Sequence, residues 1–491
     1  MTGSEQVWAE LLSSALVGLQ RRPCTVGSIG DPLDAVVNAG PVDEESLLYA
    51  AGVVTVARRA GSAAVRVDVP DAVELPGEAV AGAAASARLS ALLGAVRAAG
   101  DQRGARRLLH EWLLMAHDRQ LVAPAHLVPL LLDLGAQDGT LRDLIQSAGG
   151  ARAAWLAGLR PQEWGWSAPE PDLTESDWNE GTHRVAYLEQ LRRKDPAAGR
   201  ELLVQTWPSE SAADLAKLIR ACWHGLSPDD EEWLEKALDD RRAQVRSAAV
   251  PLLQRLPGSA YAARMGERVK AMCRVSGKSA LIVELPSAYD AGLKHDGVEE
   301  KPKYGQGPRV WWLEQIIESA PLAAWREIDP DIGRLLKRRI NDDLRAVVHR
   351  ALTQATLNQR DADFALHLAH QSTVVPHAAR SLVLMLPPEQ AARVTVEALR
   401  AKTSYAAAFL SAVPAPWPPD VVAAVLARLT DRKLTDDSSW RGLVTHAESG
   451  LPPEAAADVE KPADDLPFGE VLRQLAAFLH VRSEIHREFE R

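Results

Sequence analysis

The length, composition and charge of the chain limit what it can be. Its 491 residues exceed the ~250 to 300 residues that form a single hydrophobic core, so we expect several domains or one elongated repeat array. Its content of 46% hydrophobic and 25% charged residues is typical of folded proteins. Its net charge of −10 disfavours binding to duplex DNA or anionic membranes, and its three cysteines, which form no CxxC pair, disfavour a disulfide scaffold or a structural zinc site.

The N-terminus predicts an amphipathic helix rather than a secretion signal. Acidic residues precede its apolar run and arginines follow it, which reverses the charge order of a signal peptide. The longest apolar stretch, residues 47–57, is shorter than the ~20 residues that a membrane helix needs, so we expect a cytoplasmic protein. The apolar stripe of the first helix consists of Val7, Leu11, Leu12, Leu16 and Leu19.

Apolar residues recur at three- and four-residue intervals through residues 1–160, which predicts an N-terminal helical domain. A segment rich in proline and tryptophan follows at residues 161–177, and we interpret it as a linker because prolines stop helices. Trp164 and Trp166 in this linker are candidate exposed contacts for a partner, with packing between helices as the alternative.

Helix starts are clearest in residues 178–275, where we predict HEAT-like repeats. Asp195 precedes Pro196 and Ser227 precedes Pro228, and each pair places a capping side chain before a proline at the first helical position. The two starts lie 32 residues apart, which is the period of a helical hairpin repeat. Asp230 also completes a capping box with Ser227.

The segment 276–309 departs from helical periodicity and predicts a long loop or a small β-hairpin. Residues 280–285 alternate in the manner of a short strand, and glycine, proline and lysine are frequent in the remainder. We expect this insertion to contact a partner, because long loops are often functional. The candidate contact residues are Lys294, Asp296, Lys303 and Tyr304.

Residues 310–491 return to helical periodicity and predict C-terminal helical repeats. The last predicted helix, residues 469–490, closes this array. Trp417 lies among prolines and is a further candidate contact, with burial again as the alternative. Five other tryptophans occupy core-like helical positions: Trp112, Trp207, Trp223, Trp233 and Trp325.

Residues 239–253 resemble a HEAT repeat. Aspartates precede a Val-Arg pair and then spaced small and large apolar residues: Asp239, Asp240, Val245, Arg246, Ala249 and Leu253. In HEAT proteins the aspartate and the arginine link successive repeats through the turns between helices, and the resemblance implies that role here. It also implies an all-α fold, a HEAT-like α-α superhelix or solenoid.

Longer stretches are similar to an uncharacterised bacterial family of helical-repeat proteins. The similar stretches are residues 14–23, 178–203, 234–265 and 307–325. Members of that family are encoded beside MoxR-type AAA+ ATPases, von Willebrand A-type proteins and SWIM zinc-finger proteins. The resemblance therefore implies a AAA+ ATPase or a von Willebrand A-type protein as a partner, and it supplies no catalytic residue.

Three segments resemble ligand-binding motifs but lack a residue or a spacing that the motif requires. Residues 276–279, Ser-Gly-Lys-Ser, lack the upstream glycine of a phosphate-binding loop. His110, Glu111 and His117 lack the four-residue histidine spacing of a zinc-binding helix, and residues 329–333 lack the closing glutamate of a calcium loop. We therefore predict no cofactor, no metal and no catalytic site.

These patterns predict a non-catalytic scaffold or adaptor that binds other proteins. One alternative is a nucleic-acid-binding HEAT-like protein that uses local basic clusters, although neighbouring aspartates suggest charge pairing instead. A second alternative is an enzyme whose site is assembled from distant residues. The basic clusters are Arg241, Arg242 and Arg246, and then Lys337, Arg338 and Arg339.

Overall fold

The computed structural model describes most of the chain. The described residues are 3–25, 43–60, 77–98, 102–168, 172–181, 183–302, 305–341, 344–371, 376–403, 405–431, 438–466 and 468–490. Lys303 and Tyr304, two of the predicted contacts, lie outside them. Contacts divide the chain into two compact units, Met1–Leu75 and Pro76–Arg491. The domain boundaries predicted near residues 160, 177, 275 and 309 stay predictions.

The first unit contains two packed helices, α1 (Gly3–Val17) and α2 (Glu44–Ala60). Asp43 caps α2, since its Oδ1 accepts a hydrogen bond from the backbone N–H of Ser46 at 2.8 Å. The stripe predicted for α1 is only partly correct, because Leu12 and Leu16 are exposed. One partner helix covers only a narrow face of α1. The buried residues of this unit are Val7, Leu11, Cys24, Leu47, Ala50 and Val54.

The described residues of the second unit are mostly helical. Its helices are α3 Ala83–Arg97, α4 Gln102–Asp118, α5 Val128–Gln137, α6 Arg142–Leu159, α7 Pro161–Trp164, α8 Glu175–Glu180, α9 Arg184–Lys194, α10 Pro196–Thr206, α11 Ala212–Ala221, α12 Glu231–Leu238, α13 Ala243–Leu253, α14 Ala260–Met272, α15 Ala291–His295, α16 Pro308–Ser319, α17 Leu322–Ile328, α18 Ile332–Lys337, α19 Arg345–Gln359, α20 Ala362–Leu368, α21 Pro376–Val383, α22 Pro388–Arg400, α23 Ala406–Leu410, α24 Pro419–Leu429, α25 Ser438–Gly450, α26 Ala456–Glu460 and α27 Gly469–Glu490. The predicted predominance of helix is confirmed, whereas the superhelical arrangement stays a prediction.

The helix starts predicted from capping residues are confirmed. The Asp195 side chain accepts a hydrogen bond from the backbone N–H of Ala198 at 3.0 Å, and Pro196 follows as the first residue of α10. The capping box of Ser227 and Asp230 is present at the turn of 3-10 helix that leads into α12. Each cap satisfies backbone N–H groups that a helix start otherwise leaves without partners.

A small sheet interrupts the helices after α14. Strands β1 (Cys273–Ser276) and β2 (Ala280–Val283) form an antiparallel hairpin, and β3 (Arg339–Ile340) pairs with β2 in parallel. The strand predicted within residues 280–285 is present as β2, whereas β1 begins before the predicted insertion, and residues 277–279 form the turn between the two strands. The prediction of an irregular loop after the strand was partly wrong, because helix α15 forms within that segment. Leu293 on α15 is buried against the neighbouring helices.

Two hydrophobic cores lie within the second unit. One is formed by residues 81–168 and the other extends from Trp178 to Leu479. The C-terminal helix α27 belongs to both, since Leu472 and Leu479 pack in the larger core and Ile485 packs in the smaller one. Helix α27 accordingly contacts α3 and α4. Among the described residues, no helix is both long and apolar enough to cross a membrane.

Candidate functional site

A buried arginine joins the ends of α9, α10 and α12. The side chains of Arg192 and Asp230 are both 0% exposed, and they form a bidentate ion pair with hydrogen bonds of 3.0 and 2.8 Å. The Arg192 guanidinium also donates to four backbone carbonyls, those of Pro196 (2.7 Å), Cys222 (3.2 Å), His224 (2.9 Å) and Gly225 (3.1 Å). Its hydrogen-bonding capacity is therefore used within the protein.

Asp230 is the acceptor at the centre of this network. Besides Arg192, it accepts hydrogen bonds from Arg200 Nε (2.9 Å), Trp233 Nε1 (3.0 Å) and the Ser227 backbone N–H (3.0 Å). Burial raises the pKa of the Asp230 carboxyl, but these donors outweigh burial and hold the pKa below its ordinary value. The carboxylate has no open coordination position, so it positions helices rather than binding a ligand.

A groove lies on the surface above this network, between α10 and α12. Val204, Trp207 and Pro208 form apolar walls, and the Trp207 and Trp233 rings pack edge to face at 6.2 Å. The groove encloses about 390 Å³. Its remaining lining residues are charged: Arg200, Asp229, Glu232 and Lys236. We refer to this feature, with these residues, as the α10–α12 groove.

The turn between α12 and α13 links this region to the preceding turn. Asp240 pairs with Arg242 at 2.7 Å and accepts a hydrogen bond from Trp207 Nε1 at 3.3 Å. Arg242 also donates to the Glu210 carbonyl at 2.8 Å. Hydrogen bonds from Arg242 are the largest cause that lowers the pKa of Asp240, to about 2. Neighbouring turns are thus joined through Asp240 and Arg242.

Arg246 has a more local role than the resemblance implies. Its guanidinium donates to the carbonyls of Asp240 (2.7 Å) and Arg241 (3.1 Å), both in the turn that precedes its own helix. Asp239 is exposed and lies 3.1 Å from His295 Nε2. The role of linking successive repeats, which the resemblance to HEAT proteins implies for the aspartate and for Arg246, stays a prediction. The apolar members of the pattern are fully buried: Val245, Ala249 and Leu253.

The tryptophans proposed as exposed contacts are instead packed. Trp164 and Trp417 are buried, and Trp166 is half-buried against the core of residues 81–168. Trp164 Nε1 donates to Asp133 at 2.9 Å. Packing between helices, the alternative to an exposed contact, is therefore what the structure shows for all three tryptophans. Trp223 shows the opposite error, since this predicted core residue is 50% exposed.

The two described contact residues of the insertion differ in exposure. Lys294 is exposed, whereas Asp296 is buried and pairs with Arg264 at 2.7 Å and Arg268 at 2.6 Å. Burial raises the pKa of Asp296, but the arginines outweigh it and lower the pKa overall. An aspartate held in this way is a structural residue, so of these two predicted contacts Lys294 is the one whose side chain is open to a partner.

Half of the residues in the two predicted basic clusters are engaged by neighbouring groups: Arg242, Arg246 and Arg338. Arg338 is buried and pairs with Asp329 at 2.7 Å, and Arg334 pairs with the same carboxylate at 2.6 Å. In the other cluster, Arg242 and Arg246 are engaged by the turn. Arg241, Lys337 and Arg339 are exposed. Neither cluster presents all its cations to solvent, and charge pairing is the alternative that these contacts favour.

Glu111, one of three residues with an apparent metal-ligand pattern, lies at the contact of α4 with α27, whereas His117 Nδ1 lies 2.8 Å from Ser147 Oγ of α6. Glu111 accepts hydrogen bonds from Arg482 (2.9 Å) and His486 (2.6 Å). Burial raises the pKa of Glu111, but these two donors lower it below the ordinary value. Among the described residues, no group of three or more histidines, cysteines, aspartates and glutamates is placed to hold a metal ion.

One cavity is lined by two carboxylates that are already engaged by neighbouring side chains. It measures about 570 Å³ and is lined by residues of α3 to α7, including Asp133 and Glu163. Asp133 is engaged by Trp164, and Glu163 pairs with Arg160 at 2.8 Å. Its two carboxylates are thus already partnered, so neither is poised as a general base.

Comparison with known proteins identifies one related family. Residues 10–489 match the family described as a family of unknown function, DUF5691. No curated protein and no solved structure matches the chain.

Proposed function

We propose that this chain, which belongs to the DUF5691 family of unknown function, is a non-catalytic scaffold that binds another protein. The observation that carries the proposal is the α10–α12 groove. Val204 is 48% exposed beside the partly exposed Trp207, and charged residues of both signs surround these apolar groups. An apolar floor with a polar rim is the usual anatomy of a protein-binding site, and tryptophan is a frequent anchor there.

The spacing of long-range side-chain contacts supports a repeat architecture. Arg192 reaches the carbonyl of His224, Arg242 reaches the carbonyl of Glu210, and Arg264 reaches Asp296. Each contact joins residues 32 positions apart, which equals the spacing of the two predicted helix starts. A HEAT-like array would produce this regularity, because each helix pair contacts its neighbour in the same way.

The groove is suited to a short amphipathic segment of a partner. Its volume of about 390 Å³ accommodates a few side chains rather than a folded domain. On the rim, Glu232 pairs with Lys236 at 3.0 Å and Asp229 lies 3.6 Å from Arg200, so charged groups of the partner would exchange with these exposed pairs. The family resemblance points to a AAA+ ATPase or a von Willebrand A-type protein as the source of this segment.

The two alternatives have less support. Nucleic-acid binding would require exposed cations, whereas Arg242, Arg246 and Arg338 donate to carbonyl or carboxylate oxygens of their own turns. An enzyme would require converging polar groups, and the carboxylates of the cavity of about 570 Å³ are already paired.

Affinity capture with a charge-inserting variant tests the proposal. The wild-type protein, Val204→Glu and the control Val56→Glu would each be immobilised and exposed to extract from cells that encode the chain. Both valines are exposed on helices, at 48% and 64%. We expect a captured protein at physiological salt, lost with Val204→Glu and retained with Val56→Glu, because a buried charge opposes apolar docking.

Two outcomes would overturn the proposal. One is that no protein is retained specifically by the wild-type chain. The other is that Val204→Glu retains every partner as well as Val56→Glu does, with both variants showing wild-type circular dichroism.

A further inference from the structure

A cavity with apolar walls lies between α3, α4, α5 and α7, and it shares no lining residue with the α10–α12 groove. It measures about 570 Å³, within the range of about 300–1,000 Å³ that small-molecule sites occupy. We call it the α3–α7 cavity. Its walls belong to the core of residues 81–168 and are already packed in place, so a ligand would find them preorganised. The apolar residues that line it are Leu93, Val96, Leu130, Leu134 and Trp164.

Two arginines reach this cavity from the same end of the α3–α4 pair. Arg97 is in the last turn of α3, and Arg106 is close to the start of α4. Arg97 is exposed, and it makes no ion pair or hydrogen bond with any residue that the structure describes. Arg106 Nη1 lies 3.6 Å from Asp138 Oδ2, which is longer than a hydrogen bond, and within the described chain its Nε has no acceptor. Both guanidinium groups therefore have donors to offer to a ligand.

The carboxylates around the cavity, in contrast, already have donors. Asp133 accepts a hydrogen bond from Trp164 Nε1 at 2.9 Å, and Glu163 pairs with Arg160 at 2.8 Å. Asp138 accepts hydrogen bonds of 2.6 and 3.1 Å from the threonine two positions later. The unmet hydrogen-bonding capacity thus belongs mainly to the two cations, and an anionic acceptor would satisfy it. The nearby carboxylates favour a singly charged anion over a doubly charged one, because like charges repel.

We propose that the α3–α7 cavity binds a small organic acid, whose carboxylate pairs with Arg97 and Arg106 and whose apolar body packs against the walls. A guanidinium group donates two parallel hydrogen bonds to a carboxylate, and such charge-assisted bonds are about twice as strong as neutral ones. An aromatic or branched body beside Leu93 and Leu134 would be removed from water, which favours binding further. This inference goes beyond the scaffold function and does not depend on it, since the two sites use different residues.

Binding of phenylalkanoic acids tests this inference. The probes are the acids from phenylacetate to phenylhexanoate, titrated into the full chain by isothermal calorimetry, because the series varies the length of the apolar body. The amide and the amine of each skeleton are the matched neutral and cationic probes, and phenyl phosphate is the doubly charged one. We expect at least one acid to bind saturably and at least about tenfold more tightly than its amide at low salt, with a smaller ratio at high salt.

Variants locate the acid in the cavity. Arg97→Gln and Arg106→Gln should each weaken binding of the acid by several-fold and leave the amide unaffected, since they remove a charge and keep the walls. Ala136→Phe places a ring in the cavity from an exposed position of α5, so it should weaken acid and amide alike by at least about tenfold. The control Arg400→Gln removes an exposed arginine from the last turn of α22 and should change neither. Equal melting temperatures show that the variants are folded, and Arg97→Gln, whose side chain has no partner among the described residues, decides the question if another variant unfolds.

Four results would each overturn the α3–α7 cavity as an organic-acid site. They are no saturable binding of any acid, equal or tighter binding of the amide or the amine, tighter binding of phenyl phosphate than of the best acid, and unchanged affinity in every folded arginine variant of the cavity. Capture of a protein partner through the α10–α12 groove is measured separately with Val204→Glu, so failure of either proposal leaves the other one standing.

Discussion

The buried Arg192–Asp230 pair provides the sharpest test of how this region is held together. Replacing Arg192 with methionine keeps an unbranched side chain but leaves four backbone carbonyls without their donor. At about 1 kcal/mol for each net hydrogen bond, the loss is about 4 kcal/mol. Breaking a buried ion pair by removing one partner costs about 3–5 kcal/mol, a range that includes the loss estimated from the hydrogen bonds.

Hydrogen exchange measured by mass spectrometry reads out this loss locally. The amides of α9, α10 and α12 should exchange about a thousandfold faster in Arg192→Met, since 1.4 kcal/mol corresponds to a factor of ten. The exposed pair of Lys236 and Glu232 serves as the control, because both side chains are largely in solvent. Lys236→Met should change exchange by no more than about threefold.

Adding a methyl group at Gly199 tests the same network sterically, and the same change at Gly158 is the control. Gly199 lies against the Arg192 side chain, and an added Cβ would meet Arg192 Cδ at 2.5 Å. Gly199→Ala should therefore destabilise α10 by displacing the arginine, whereas Gly158→Ala on α6 meets nothing within 4 Å and should be neutral or stabilising. Unchanged exchange in both Arg192→Met and Gly199→Ala would refute the reasoning.

Further predictions concern other buried groups. Glu111→Gln removes the charge that holds Arg482, so we expect faster exchange at the end of α27. Burial lowers the pKa of His349 to about 4, and the unfolded state therefore binds more protons between pH 4 and 6.5. Stability should fall as the pH drops through that range, and urea midpoints of His349→Leu should lack this slope. Burial raises the pKa of Cys222 and of Cys273 to about 12, so iodoacetamide at pH 8 should label neither until urea is added.

Local signals in the sequence predicted local structure well. The box formed by Ser227 and Asp230 was readable because its residues lie within one turn, and the strand at residues 280–283 was readable from alternation. Arg192 was not identified, since its partner lies 38 residues away and no short motif joins them. The 32-residue spacing of the helix starts at Asp195 and Ser227 predicted a repeat but not this pair.

The wrong predictions of tryptophan exposure have a physical origin in where helices end and in which helices cover them. Trp223 fits a helical stripe by position, but α11 ends at Ala221, so its side chain turns outward. Trp164 and Trp417 lie among prolines yet are covered by helices that are distant in sequence or lie beyond a turn. Exposure of a large side chain thus depends on tertiary neighbours that periodicity alone does not specify.

The position of α27 has a consequence for synthesis on the ribosome. Arg88 pairs with Glu488, a residue made 400 positions later, and the Trp112 ring lies 5.3 Å from that of Phe489. At about 5–20 residues per second, the early helices wait roughly 20–80 s for their last packing partner to emerge. A chain truncated before Glu488 would therefore lack packing partners for the part of the second unit that is translated first.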